Sequence, residues 1–294
     1  MLPVISRQLG AGSTNLRDIK KEFSKQSSVF ESDWSAKSKT SQAELMAWVM
    51  QSLNETKCDK ALDVAAGTGI LARSLASSGF AKEVVALDAT REMMEEGRKA
   101  VEKDDITNVT FIEGDALNLP FEDDLFDVVG CRLCLHHFPD PGACVKEMTR
   151  VCKDGGTVIV IDIISDENKF ISDEQNRLEN LRDPTHTRFL TKSELVSIFM
   201  DCGITPFFDD QNNKGMLPAL PTFTNVMDLK GWMQSTNTSS ANQQVIEECI
   251  LKELDHKGHS YRTGFQPFRS QKHNDIAFLH NYAIAQGFKG QNSR

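Results

Sequence analysis

Three observations predict an α/β fold built on a mainly parallel sheet. From Lys60 onward, short apolar runs alternate with amphipathic stretches, the texture of successive βαβ units. Each run is nearly continuous in apolar residues, as suits strands covered on both faces. The first run ends in a glycine-rich turn, Gly67-Thr68-Gly69, which leads into a helical pattern.

The predicted strands are Lys60–Val64, Glu83–Asp88, Val109–Glu113, Phe126–Cys131 and Thr157–Ile163, with a sixth at Ile204–Phe208 and a last at Ile276–Ala285. Helical patterns cover Ile70–Ser77, Arg91–Glu102, Ala143–Val151 and Lys192–Asp201. The last of these is announced by Thr191-Lys192-Ser193-Glu194, in which hydroxyl and carboxylate satisfy exposed backbone N–H groups, and it stops at Cys202-Gly203. Residues 1–20 read as irregular. Phe23, Phe30 and Trp34 then lead toward a helix over Ala43–Leu53. Leu217–Leu220 reads as a crossing loop between prolines, followed by helices over Thr224–Met233 and Ala241–Leu254. The chain therefore divides into an N-terminal helical lid (1–56), a core (57–214), a helical insertion or cap (215–274) and a final strand (275–294).

Composition excludes several partners. A formal charge of −9 does not suit a polyanion, so neither DNA nor RNA is expected. No stretch approaches the roughly 20 apolar residues of a membrane span. The odd count of seven cysteines, several inside apolar runs (Cys131, Cys134, Cys144, Cys152), reads as buried free thiols in a reducing compartment. Cys131 and Cys134 form a C-x-x-C without a second pair at zinc spacing, so no metal site is expected. The cytoplasm is the expected location, with an organelle-targeting peptide as the alternative. The expected state is monomer or homodimer.

Gly67-Thr68-Gly69-Ile70-Leu71-Ala72 fits G-x-G-x-x-A, a spacing shared by a dinucleotide site, an adenosyl site and a structural turn. Neighbouring acids separate these readings. Asp63, just before the turn, would gain nothing beside a pyrophosphate but can meet an ammonium group, which favours an amino-acid-bearing cofactor. Asp88 closes the second strand, where an acceptor pair meets ribose hydroxyls. After the third strand, Gly114-Asp115-Ala116 places an acceptor for an exocyclic adenine amine, or an ordinary turn residue. Met93 or Met94 can lay a thioether against adenine or fill the core.

Asp63-x-Ala65-x-Gly67-Thr68-Gly69, Leu87-Asp88-Ala89-Thr90-x-x-Met93-Met94, Gly114-Asp115-Ala116-x-x-Leu119-Pro120-Phe121, Phe126-Asp127-Val128-Val129 and Leu135-His136-His137-Phe138-x-Asp140-Pro141 together resemble the class I S-adenosylmethionine-dependent methyltransferases. Within that class they resemble the group containing the ubiquinone and menaquinone C-methyltransferases. The resemblance is carried by residues 60–165. It implies a Rossmann-like, seven-stranded sheet with an antiparallel last strand and helices on both faces, and S-adenosyl-L-methionine as cofactor. It also implies Asp63 and Gly67 beneath the methionine part, Asp88 on the ribose, Asp115 with Ala116 at the adenine, and Arg132 and Leu133 beside the methionine, with Ala89 among the cofactor-binding residues.

Methyl transfer requires a base only when the acceptor carries a proton to lose. The candidates are His136 and His137 after the fourth strand and His186 in the later loop, with His186 preferred for the acceptor side. Arg182 and Arg188 flank His186 and suit a substrate carboxylate, so a small carboxylate is one expected acceptor, methylated at oxygen, carbon or sulfur. The competing readings are a non-catalytic S-adenosylmethionine-binding protein and an NAD-dependent oxidoreductase.

Overall fold

The computed structural model describes residues 14–37, 49, 53, 58–206, 222–236, 238–255, 263–270 and 275–290. An N-terminal helix, α1 (Thr14–Lys37), precedes alternating elements: β1 (Cys58–Val64), α2 (Ile70–Ser77), β2 (Ala81–Asp88), α3 (Arg91–Lys103), β3 (Val109–Glu113), β4 (Phe126–Arg132), α4 (Pro141–Val151) and β5 (Cys152–Ile163). Then follow α5 (Lys169–Arg182), α6 (Lys192–Asp201), β6 (Ile204–Pro206), β7 (Thr222–Asp228), α7 (Leu229–Gln234), α8 (Ser240–Asp255), β8 (Phe268–Ser270) and β9 (Asp275–Lys289).

The sheet runs in the order β3-β2-β1-β4-β5-β9-β6. β1 to β5 are parallel, and β9 is antiparallel to both its neighbours. Alternate residues of one strand enter opposite clusters: Leu62, Val64, Val129, Val158 and Val160 on one face, and Ala61, Val128, Ile159 and Ile161 on the other. Continuous apolar runs are therefore what the middle of this sheet demands. Chain order reverses between β1 and β4, which opens a crevice at their carboxyl ends.

The fold class agrees with the sequence, and three local readings need correction. Thr224–Met233 is not one helix: Thr222–Asp228 is a strand, antiparallel to β9 from Thr222↔Ala283 to Asp228↔Ala277, and only Leu229–Gln234 is helical. The insertion thus adds β7 and β8 to the sheet, giving nine strands among the described residues rather than seven. The β-branched Thr222, Thr224 and Val226 favour the strand, and Asp228 accepts from the Gly231 N–H at 2.8 Å to begin the helix.

Second, α1 starts at Thr14, within the stretch read as irregular, and third, α5 was not foreseen at all. Among α5's residues only Gln175, Leu178 and Glu179 are buried, so no apolar stripe marks it. Val49 and Leu53 are buried, but the rest of the Ala43–Leu53 reading, the outer part of Ile204–Phe208 and the Leu217–Leu220 loop lie outside the described residues. The capping box at Thr191 and Glu194 is present, and Cys131, Cys134, Cys144 and Cys152 are buried thiols as expected.

One glycine fixes how closely α3 approaches the glycine-rich turn. A Cβ on Gly97 would lie 2.6 Å from the Phe111 ring and 2.8 Å from the Thr68 carbonyl oxygen. Gly97→Ala is expected to lower stability by about 1–3 kcal/mol despite alanine's better helix propensity, read from denaturant unfolding.

Candidate functional site

A cavity opens at the carboxyl ends of β1, β2 and β4, with about 820 Å³ of space counting its open mouth. Its floor is the turn after β1, where Gly67 and Gly69 take φ of +57° and +76°. Two non-glycines on the wall, Ala65 and Leu133, also sit at φ +53°. Left-handed backbone at such residues is held by its surroundings. The Leu133 N–H donates to the Ile161 carbonyl at 2.8 Å, and the Ala66 N–H to that of Leu87 at 2.9 Å.

Asp63 is fully buried. Its Oδ2 accepts from the Ala72 N–H at 2.9 Å, in the first turn of α2, while Oδ1 has no hydrogen-bond partner among the described residues. Burial pushes the carboxyl up to about 7, against the pull of the Ala72 N–H and the nearby Arg132 guanidinium. A buried carboxylate oxygen at a cavity wall is an acceptor for a cationic donor.

Asp88 is also buried, its Oδ2 accepting from the Gly67 N–H at 2.7 Å and Oδ1 from the Thr90 N–H at 2.7 Å. Burial raises its pKa, and these bonds oppose the rise. The Thr90 hydroxyl and the Ala89 N–H add to these bonds, so the carboxylate is held in place at the cavity wall. Beyond β3, Asp115 Oδ1 accepts from the Leu117 N–H at 2.9 Å, closing a turn with Gly114 and Ala116 on the wall.

Of the predicted cofactor residues, Asp63, Ala65, Gly67, Asp88, Ala89, Met93, Gly114, Asp115, Ala116, Arg132 and Leu133 line this cavity. Thr68 and Gly69 do not; Thr68 is buried under the turn, and Gly69 is the left-handed residue before α2. Of the two methionines, Met93 lines the wall, whereas Met94 is buried and does not line it. The N-terminal helix closes the opposite side with Leu16, Ile19 and Phe23, tied to α3 by a Ser24 hydroxyl–Glu92 bond of 2.8 Å. The side chains of Phe30 and Trp34 lie outside the described residues.

The acceptor-side candidates separate. His137 lines the cavity, packed edge-on against Phe23 with ring centroids 5.1 Å apart. Burial, and next the His136 imidazole, pushes its pKa down to about 4. His186 does not line the cavity. It is buried behind it, its Nε2 2.9 Å from Asn176 Oδ1 and its ring against Phe189, and burial lowers its pKa. Arg188 points to the surface, where Nη1 meets both Glu194 oxygens at 2.9 Å. Arg182 is buried against Glu179 and lies 5.0 Å from the Trp232 ring. The geometry thus gives neither arginine to a substrate carboxylate.

Several participants escaped the sequence reading. Asp162, at the end of β5, receives the His136 ring nitrogen at 2.6 Å and the Leu135 N–H at 2.8 Å, pinning the segment between Leu133 and His137. Thr185 meets His137 from the loop after α5, and its hydroxyl in turn donates to Asp183. A strand-end Asp was a readable signal for the first; the others face the site only because tertiary packing brings them there.

Residues 62–160 match the family model described as a methyltransferase domain. The chain is 31% identical over 230 residues to the uncharacterized methyltransferase YcgJ of Bacillus subtilis (strain 168), covering 78% of this chain and 84% of that protein. The crystal structure of YcgJ superposes with a TM-score of 0.71 at 26% identity, over 84% of this chain and 98% of that one. The demethylmenaquinone methyltransferase of Staphylococcus saprophyticus is 38% identical over 115 residues, 39% of this chain and 48% of that enzyme. The sheet order, the cavity at the switch point and these relatives converge: the chain belongs to the class I S-adenosylmethionine-dependent methyltransferase family.

Proposed function

We propose that this chain binds S-adenosylmethionine and transfers its methyl group to a small-molecule acceptor. The observation that carries the reading is the buried Asp63 Oδ1, unpartnered among the described residues on a residue of the cavity wall. A cofactor with an α-ammonium group supplies the missing donor, whereas a pyrophosphate would be repelled. Asp63 and Gly67 would hold the methionine part with Arg132 and Leu133, Asp88 the ribose hydroxyls, and Asp115 with Ala116 the adenine edge. Bound there, the cofactor supplies an activated methyl on a sulfonium, leaving the chain to orient the acceptor and exclude water. Leu16, Ile19 and Phe23 of α1 serve the second task by closing one side of the cavity.

The cavity lining is mainly apolar, and it includes the His137 imidazole. Since Arg182 and Arg188 are engaged by Glu179 and Glu194, a neutral acceptor fits better than a carboxylate. Calorimetric titration with S-adenosylhomocysteine and with NAD tests the cofactor. Binding of the former alone is expected, and Asp88→Ala should weaken it at least about tenfold while costing about 1–3 kcal/mol of stability for each buried N–H group it orphans. Labelled methyl transfer from S-adenosylmethionine into phenol, enol and amine acceptors, and into the small-molecule fraction of a cell extract, tests the reaction. Binding without any transfer would leave a non-catalytic binding protein.

A further inference from the structure

Two lone pairs buried behind the cavity have no donor. His186 Nε2 lies 2.9 Å from Asn176 Oδ1, an oxygen that also receives the Phe189 N–H at 2.6 Å. The Asn176 amide nitrogen donates to the Ser172 carbonyl at 2.9 Å, which fixes the amide's orientation. Oδ1 therefore only accepts, and His186 Nε2 carries the hydrogen. Burial lowers the His186 pKa, so the ring is neutral and Nδ1 keeps a bare lone pair, buried with no partner among the described residues. Glu179 is fully buried, its Oε1 taken by Arg182 and its Oε2 without a partner among the described residues. Such buried atoms are costly until a donor reaches them.

Both atoms belong to one cluster just behind the cofactor cavity. The His136 ring lies 5.7 Å from that of His186, and the Glu179 carboxylate is within electrostatic reach of the same ring. His186 packs on Phe189 with centroids 4.5 Å apart, and Leu133, on the cavity wall, packs against Phe189 and Tyr282. The charges here already balance: Glu179, Asp183 and Asp162 stand against Arg182, His136 and Arg132, with Asp63 left to the cofactor. The donor that fits is therefore neutral. We infer that His186 Nδ1 and Glu179 Oε2 form a recognition subsite for the methyl acceptor, a neutral molecule carrying an O–H or N–H group besides the atom methylated. This rests on the methyltransferase reading above. The donor group passes Leu133 to reach the subsite while the reacting atom stays in the cavity. A molecule without that group leaves two buried lone pairs unpaired, a mismatch that a hydrogen-bonding site rejects strongly. Hydrocarbon and fully etherified acceptors are excluded.

Nitrogen-15 NMR of histidine-labelled protein, with S-adenosylhomocysteine bound, reads His186 directly. Nδ1 should appear unprotonated and without a donor, and it should move to the hydrogen-bonded range on titration with resorcinol but not with its dimethyl ether. Glu179→Gln keeps an oxygen for Arg182 and turns the bare lone pair into a donor. It should weaken resorcinol binding about tenfold or more with S-adenosylhomocysteine affinity unchanged. His186→Phe, which keeps a ring against Phe189, should do the same and carries the test if the first variant does not fold. Each methylated product formed from the small-molecule fraction of a cell extract should retain an exchangeable hydrogen, counted by deuterium exchange in mass spectrometry. An Nδ1 that resorcinol does not move, whether bare or already bonded to a permanently held water, overturns the inference. So does a product with no exchangeable hydrogen, or resorcinol affinity equal in variants and wild type. Failure of wild type to bind S-adenosylhomocysteine would instead overturn the methyltransferase reading, and the His186 titration, run without it, would still report the subsite.

Discussion

Asp63→Asn is expected to stabilise the cofactor-free protein while removing most of its affinity for S-adenosylmethionine. Burial has raised the Asp63 carboxyl from 3.8 to about 7, so ionising it near neutral pH costs the empty fold on the order of 3–4 kcal/mol. The sign is that of a raised acid: the penalty is absent below the unfolded pKa and grows as pH rises toward about 7. Asparagine keeps an acceptor for the Ala72 N–H and carries no charge, so part of the penalty, at least about 1 kcal/mol, should return as stability at pH 7–8. Binding moves the other way, since an ammonium needs the carboxylate. Wild-type affinity should weaken about tenfold per pH unit below about 7, and Asp63→Asn should flatten that profile and weaken binding about a hundredfold or more at pH 8. Thermal unfolding without ligand and calorimetry across pH 5–8 measure both halves. A variant that loses stability and affinity together would mean that Asp63 only supports the turn.

That Asp63 could be singled out from sequence reflects the local character of its surroundings. The strand, turn and helix that frame it are contiguous in the chain, and Asp88 and Asp115 each lie at or just past the end of their own strand. Short-range chemistry, acids and glycines at strand ends, therefore located nearly all of one wall. The other wall depends on contacts between residues far apart in the chain. Thr185 reaches His137 across 48 positions and Asp162 reaches His136 across 26, and no periodicity reports such pairings. His186 and Arg188 were plausible acceptor residues because their loop returns to the carboxyl ends of the strands. Which side chains of that loop turn inward was decided by Asn176 and Glu194, the partners that bind the other two. The polar α5 was missed because its buried face holds Gln175 and Glu179 in place of leucines.

The second large effect is expected at the ion pair behind the site. Asp162 Oδ1 takes the His136 ring nitrogen at 2.6 Å and the Ile163 N–H at 2.7 Å, while Oδ2 takes the Leu135 N–H at 2.8 Å; both side chains are buried. Burial alone would lower His136, but Asp162 outweighs it and raises the imidazole above its ordinary pKa. Asp162→Asn leaves that imidazole without its counter-charge and sets an amide donor among three donors, at a cost of about 3–5 kcal/mol in denaturant unfolding at pH 6. His136 is a raised base, so its share of the stability is complete below its unfolded pKa and fades as pH rises through the folded value. The gap between wild type and Asp162→Asn should therefore narrow toward pH 9 without closing, because the two backbone bonds to Asp162 persist. Adding His136→Phe to Asp162→Asn should recover at least about 1 kcal/mol, the mark of a stranded charge rather than a lost contact. The same substitution frees the segment from Leu133 to His137, so S-adenosylhomocysteine affinity should fall even though Asp162 does not line the cavity. A fully stable variant that binds poorly would instead make Asp162 a direct partner of the ligand.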